Sequence, residues 1–161
     1  MKNELTFINP TRGFLEVDAM HLRHPEFKTQ EPIRADKGSA GYDFFSKETA
    51  VIHPGQKHLF WTDVKSYMKK DEVLELHIRS SLGIKEDLML ANTTGIIDSS
   101  YFENTKNGGN IGICLRNFSN KKVLINSGDR IAQGIFKNYL TTINDNVREE
   151  ERTGGIGSSG R

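Results

Sequence analysis

The segment Val73-Leu-Glu-Leu-His-Ile-Arg79 alternates apolar and polar side chains with a period of two, and it constrains the fold more than any other stretch. That spacing puts Leu74, Leu76 and Ile78 on one face of a strand and Glu75, His77 and Arg79 on the other. Shorter runs of the same kind recur. Ala50 to His53, the Pro54-Gly55 turn and Lys57 to Val64 read as strand, turn, strand. Asn110 to Arg116 is another strand, and Lys121 to Ile125 leads through an Asn126-Ser-Gly-Asp129 turn into a strand from Arg130 to Tyr139. Helical periods are few, and 15 of the 161 residues are glycine. Regularly spaced short strands of this sort predict an all-β barrel or sandwich.

The length fits one domain with a real core. Residues 1–31 read as a lead-in with an early strand, within a β domain spanning 1–140, and the polar, glycine-rich residues 141–161 read as a flexible tail. Lys and Arg total 22 against 21 Asp and Glu, a balance that carries no nucleic-acid signature. The single cysteine, Cys114, excludes an internal disulfide, and no Cys/His set has zinc spacing. No apolar run is long enough for a membrane span and Met1-Lys-Asn-Glu-Leu opens no signal peptide, so a cytoplasmic protein is expected.

Five islands interrupt the strand-like sequence and pair reactive side chains with small residues: Ala40-Gly-Tyr-Asp43, Arg79-Ser-Ser-Leu-Gly83, Gly95-Ile-Ile-Asp98-Ser-Ser-Tyr101, Gly128-Asp-Arg-Ile-Ala-Gln133 and Arg152-Thr-Gly-Gly-Ile-Gly-Ser-Ser-Gly-Arg161. Asp98 is either an Asx-turn residue ending a strand or a carboxylate base aimed at a water. Tyr101 is an ordinary half-buried aromatic or a platform for a flat ligand. Arg79-Ser80-Ser81 is a solvated strand end or a phosphate clamp, since a guanidinium and two hydroxyls suit phosphoryl oxygens. Gln133 has the spacing of an outward-facing strand residue beyond the Gly128-Asp-Arg turn. The tail lacks the Gly-Lys-Ser/Thr of a P-loop, yet glycine-rich backbone can fold its amides over an anion. The five histidines show no mutual spacing that suggests a site.

Taken in order, these islands resemble the five motifs of the trimeric dUTPase (deoxyuridine triphosphate nucleotidohydrolase) family, from about Pro32 to Arg161. The lead-in and the segment Phe102 to Gly109 resemble variants from Gram-positive bacteria and their phages. The resemblance implies a distorted jelly-roll or β-clip-like barrel, a homotrimer with active sites shared between subunits, and Mg2+-assisted hydrolysis of dUTP to dUMP and pyrophosphate. It implies Asp98 as general base, Tyr101 beneath the deoxyribose, and Asn92, Gly95, Ile96, Ile97 and Gly112 around the uracil. Arg79, Ser80, Ser81 and Gln133 would meet the phosphates, and Asp43 the metal through water. From the tail, Arg152, Ile156, Gly157, Ser158 and Ser159 would close over the nucleotide.

Ile156 stands where the family usually has a phenylalanine that stacks on the base, and the spacing from Arg152 to Gly154-Gly155 is one residue short of the common form. Two rivals remain open. A dCTP deaminase of the same fold needs a glutamate on the strand after the Asp98 motif, and Ile111 to Asn117 has none. A nucleotide-gated regulatory protein would use the same scaffold to engage a protein partner, with the lead-in and residues 102–109 as its surfaces.

Overall fold

The computed structural model describes residues 11–147 and 153–156. Among them are the strands β1 (Gly13–Glu16), β2 (Ile33–Arg34), β3 (Tyr42–Phe45), β4 (Ala50–Ile52), β5 (Lys57–Trp61), β6 (Val64–Tyr67), β7 (Glu72–Ile78), β8 (Leu88–Leu90), β9 (Gly95–Asp98), β10 (Gly112–Asn117), β11 (Val123–Ile125) and β12 (Arg130–Asn138). One helix, α1 (Ser80–Glu86), and 3-10 turns at Ala19–His21 and Ser99–Tyr101 complete the set. The largest sheet runs β2-β3-β12-β7-β9, a second runs β5-β10-β8, and β1-β6 and β11-β4 form pairs, all antiparallel. The fold is mostly β and jelly-roll-like, built of four small sheets.

The period-two reading of β7 holds: Leu74 and Leu76 are buried, while Glu75 and His77 stay partly open and Glu75 takes an ion pair from Lys137 across the sheet. β12 pairs β7 along its length and β3 on its other side, with a bulge between Arg130 and Ala132. The core joins Phe44, Phe60, Leu74, Leu88, Ile111, Ile113, Leu115 and Ile131, each essentially inaccessible to solvent. Phe14 of β1 fastens the lead-in to this core, with ring centroids 5.3 Å from Tyr42, 5.5 Å from Phe44 and 5.4 Å from Phe136.

Two local features depart from expectation. The run Lys57 to Val64 is two strands in different sheets, because Asp63 adopts a left-handed backbone (φ 58°) and breaks the ladder after Trp61. Its carboxylate, wholly buried, accepts hydrogen bonds from the Arg23 and His24 backbone N–H groups, Asn110 Nδ2 and Lys47 Nζ. The chain beyond Arg79 is also not a plain strand end; it turns directly into α1, which closes at Asp87 in a left-handed cap.

Candidate functional site

β9 and β10 enclose a recess of about 400 Å³, which falls in the size range of small-ligand sites. Of the residues singled out in the sequence, Asn92, Gly95, Ile96, Ile97, Tyr101, Gly112 and Ile156 all line it. Asn92 sits in a tight turn between β8 and β9, where Thr93 takes a left-handed backbone (φ 62°) and Thr94 N–H bonds the Asn92 carbonyl at 2.7 Å. A β-branched residue in that region stores backbone strain, the kind found beside ligand sites. Gly112 and Cys114, two apart on β10, both line the cavity, as do Leu59, the cross-strand partner of Cys114, and Lys57 from β5. Cys114, Leu59 and Lys57 escaped the sequence reading, although the period of two from Gly112 points to Cys114. Burial pushes the Cys114 thiol above its usual range, keeping it a neutral wall at physiological pH.

Asp98 ends β9, opposite Val73 of β7, directly after the cavity residue Ile97. Its side chain makes no capping hydrogen bond to the 3-10 turn that follows. That turn brings Tyr101 into the cavity wall three residues later. The Tyr101 ring is fixed: its hydroxyl donates to the Asn110 carbonyl at 2.6 Å and accepts from Asn107 Nδ2 at 2.7 Å. Gly155 lies against the same ring, since a Cβ there would stand 2.6 Å from Tyr101 Cε2, and Ile156 follows with a left-handed backbone (φ 52°).

The remaining predicted residues gather elsewhere. Asp43 is buried on β3 and gripped from two sides, by Arg79 Nε at 2.9 Å and by an Arg130 guanidinium nitrogen at 3.3 Å. Arg130, read in the sequence only as part of a turn, thus belongs to this cluster. Gln133 pairs with Asp43 across the β12–β3 ladder and donates weakly to the Ile78 carbonyl at 3.4 Å. Ser80 and Ser81 stand exposed in the first turn of α1. Arg79, Ser81 and Arg130 line a second recess of about 430 Å³ together with Lys122, and no described residue lines both recesses. Arg152, Gly157, Ser158 and Ser159 lie outside the described residues.

With both carboxylate oxygens of Asp43 held by guanidinium groups, direct metal ligation there is disfavoured, and a contact through water suits the donor set. Among the described residues no group of three or more His, Cys, Asp or Glu could hold a metal ion. No helix among them is long and apolar enough to cross a membrane.

A jelly-roll-like β protein with a largely apolar recess beside β9 and β10 and a separate arginine-bearing cleft is the class that fold and site define. A family model described as dUTPase matches residues 28–160. The deoxyuridine 5'-triphosphate nucleotidohydrolase of Lactococcus lactis subsp. lactis is 42% identical over 130 residues, covering 80% of this chain and 87% of that one. The crystal structure of a dUTPase from Streptococcus mutans superposes with a TM-score of 0.71 at 35% identity, covering 81% of this chain and 98% of that one. A mutant dUTPase from phage phi11 of S. aureus, whose structure details the coordination of a structural Mg(II) ion, gives 0.66 at 26% identity, covering 89% and 100%. The chain belongs to the dUTPase family.

Proposed function

We propose that this chain hydrolyses dUTP to dUMP and pyrophosphate, and that it does so as a homotrimer in the cytoplasm. The observation that carries the reading is the cavity itself, bounded by Asn92, Gly95 to Ile97 and Tyr101 and continuous in sequence with the carboxylate of Asp98. Uracil enters between β9 and β10, where backbone groups from Gly95 to Ile97 read its polar edge and Gly112 leaves room for the ring. The pinned Tyr101 ring forms a rigid floor under the deoxyribose, and a floor that cannot retreat excludes a 2'-hydroxyl. Asp98 accepts a proton from water as the water oxygen bonds the α-phosphorus; the bond to the bridging oxygen breaks and pyrophosphate leaves with the electron pair.

Arg79, Ser80, Ser81 and Gln133 neutralise and orient the phosphates. The cleft lined by Arg79 and Ser81 shares no described residue with the base cavity of the same chain, which supports a site completed by a second copy. Asp43 would hold Mg2+ through water, and the ion when bound would offset charge on the triphosphate and the leaving group. Arg152, Ile156, Gly157, Ser158 and Ser159 cover the nucleotide from the tail. Deamination of dCTP is disfavoured because β10 has no glutamate and Glu103 is engaged by Lys65 at 2.9 Å.

Product analysis with dUTP, dCTP, dTTP and UTP in the presence of Mg2+ tests the assignment. Pyrophosphate and dUMP from dUTP alone are expected; ammonia from dCTP, or no product from any of the four, would overturn it. Replacing Ile156 by phenylalanine tests the tail. The change removes a β-branched side chain from a left-handed backbone and adds stacking worth about 1 kcal/mol. Binding of α,β-imido-dUTP should tighten roughly fivefold by calorimetry, and an unchanged Kd would show that residue 156 does not touch the base.

A further inference from the structure

The segment 102–109 reads in the sequence as a polar insertion, but its interior is packed. Asn104 and Asn107 are buried, and neither leaves its amide idle. Asn104 Nδ2 donates to the Tyr101 carbonyl and to Asn107 Oδ1, both at 2.8 Å, while Asn104 Oδ1 accepts from the Lys106 and Asn107 N–H groups. Asn107 Nδ2 donates to the Tyr101 hydroxyl, and Asn107 Oδ1 accepts from Gly109 N–H at 3.1 Å. Lys65 ties the outer edge through Glu103 and lies 5.3 Å from the Phe102 ring centre. A loop so fully satisfied holds one shape.

That shape offers Thr105 and Lys106 to the last described segment of the chain. The Lys106 N–H donates to the Thr153 carbonyl at 3.1 Å, and the Thr105 hydroxyl reaches the same oxygen at 3.4 Å. Gly154 is buried against the lysine stem, for a Cβ there would stand 3.2 Å from Lys106 Cβ and 2.7 Å from Lys106 Cδ. Only glycine fits without displacing lysine. Gly155 then meets the Tyr101 ring, which the same loop holds through Asn107. One rigid loop therefore sets both the floor of the cavity and the position of the residues that border it from the tail.

We propose that the 102–109 loop is the seat on which Thr153–Gly155 dock, and that Lys106 is a positioning residue that delivers Ile156 to the cavity. The seat rests on the nucleotide-binding reading of that cavity for its purpose, though not for its existence. Its position predicts that the seated segment is the one present when nucleotide is bound, so that fixing it in place removes part of the ordering cost of binding.

A disulfide reports the seat directly, because the Cβ separation needs to open by only a few tenths of an ångström to reach bonding geometry. The full chain carrying Lys106→Cys and Gly154→Cys should cross-link under mild oxidation, with the 106–154 pair identified by peptide mapping since Cys114 is a third thiol. A bond within one chain or between two copies, distinguished on a non-reducing gel, supports the seat equally. Lys106→Cys with Val147→Cys, at an exposed position, should not cross-link; equal yield from both pairs, or none from the first, overturns the proposal. The oxidised 106–154 protein should bind α,β-imido-dUTP at least threefold more tightly than its reduced form. Weakened binding would overturn the positioning role while leaving the contact. If the unmodified chain failed to bind the analogue at all, the nucleotide reading would fall, and the cross-link would still report the seat.

Discussion

Asp98→Asn is expected to lower kcat for dUTP by roughly 10²- to 10⁴-fold, the range over which a positioned general base acts. At 1.36 kcal/mol per tenfold, that is about 3–5 kcal/mol of barrier. The substitution preserves size and the backbone pairing of β9 with β7, in which residue 98 stands opposite Val73. It removes the capacity to take a proton from water. Affinity for α,β-imido-dUTP should stay within about threefold, because in the proposed reading the base and sugar rest on Gly95 to Ile97, Tyr101 and Gly112, which line the cavity and which the change does not touch. Melting temperature should likewise hold. Single-turnover hydrolysis and calorimetry on the same preparation separate these quantities. A variant that keeps its kcat removes Asp98 from the chemistry. One that loses analogue binding in step with turnover makes Asp98 a binding group, and the water would need another base.

The strands that carry a period of two could be read directly, since one face of each is driven into a core and the other is not. β7 is the clear case, and β12, β10 and β11 follow. Their pairing could not be read the same way: β12 lies beside β7 and β3, and nothing local in those stretches specifies partners so distant in the chain. The break at Asp63 was hidden because Val64 continues the apolar alternation while a left-handed aspartate looks like any other. Arg130 was hidden for a similar reason, as it sits beside a turn glycine and its carboxylate partner is 87 residues away. Among cavity residues, those in the Gly95–Tyr101 island were legible because unusual small and polar types cluster there. Lys57, Leu59 and Cys114 were not, being ordinary strand residues made relevant only by the neighbouring strand. Nothing in the pattern of residues 102–109 shows that Asn104 and Asn107 are turned inward, where the structure buries them.

Asp63→Asn should cost about 3–5 kcal/mol, the range for breaking a buried ion pair, although the residue lies outside the cavity. Every neighbour of this carboxylate is a donor: Arg23 N–H and Asn110 Nδ2 reach Oδ1 at 2.8 Å, while His24 N–H at 3.0 Å and Lys47 Nζ at 2.8 Å reach Oδ2. An amide turned either way points N–H groups at donors. It also leaves the buried Lys47 ammonium with the Thr29 hydroxyl at 2.9 Å and no counter-charge. For a domain of this size the loss corresponds to a Tm lower by roughly 6–20 °C. Adding Lys47→Met should recover part of it, since the unpaired charge is then gone. The dependence on pH identifies the cause. Burial alone would raise the Asp63 pKa, but hydrogen bonds from Lys47, Arg23, His24 and Asn110 outweigh it and hold the carboxyl below its usual range. A depressed carboxylate stabilises the fold fully above its unfolded pKa, near ~3.9, and loses that contribution as pH falls through the folded value. The Tm gap between wild type and Asp63→Asn should therefore be widest near neutrality and narrow below about pH 4. A gap that stays constant into acid would mean that packing, not the carboxylate charge, ties the lead-in to the β domain.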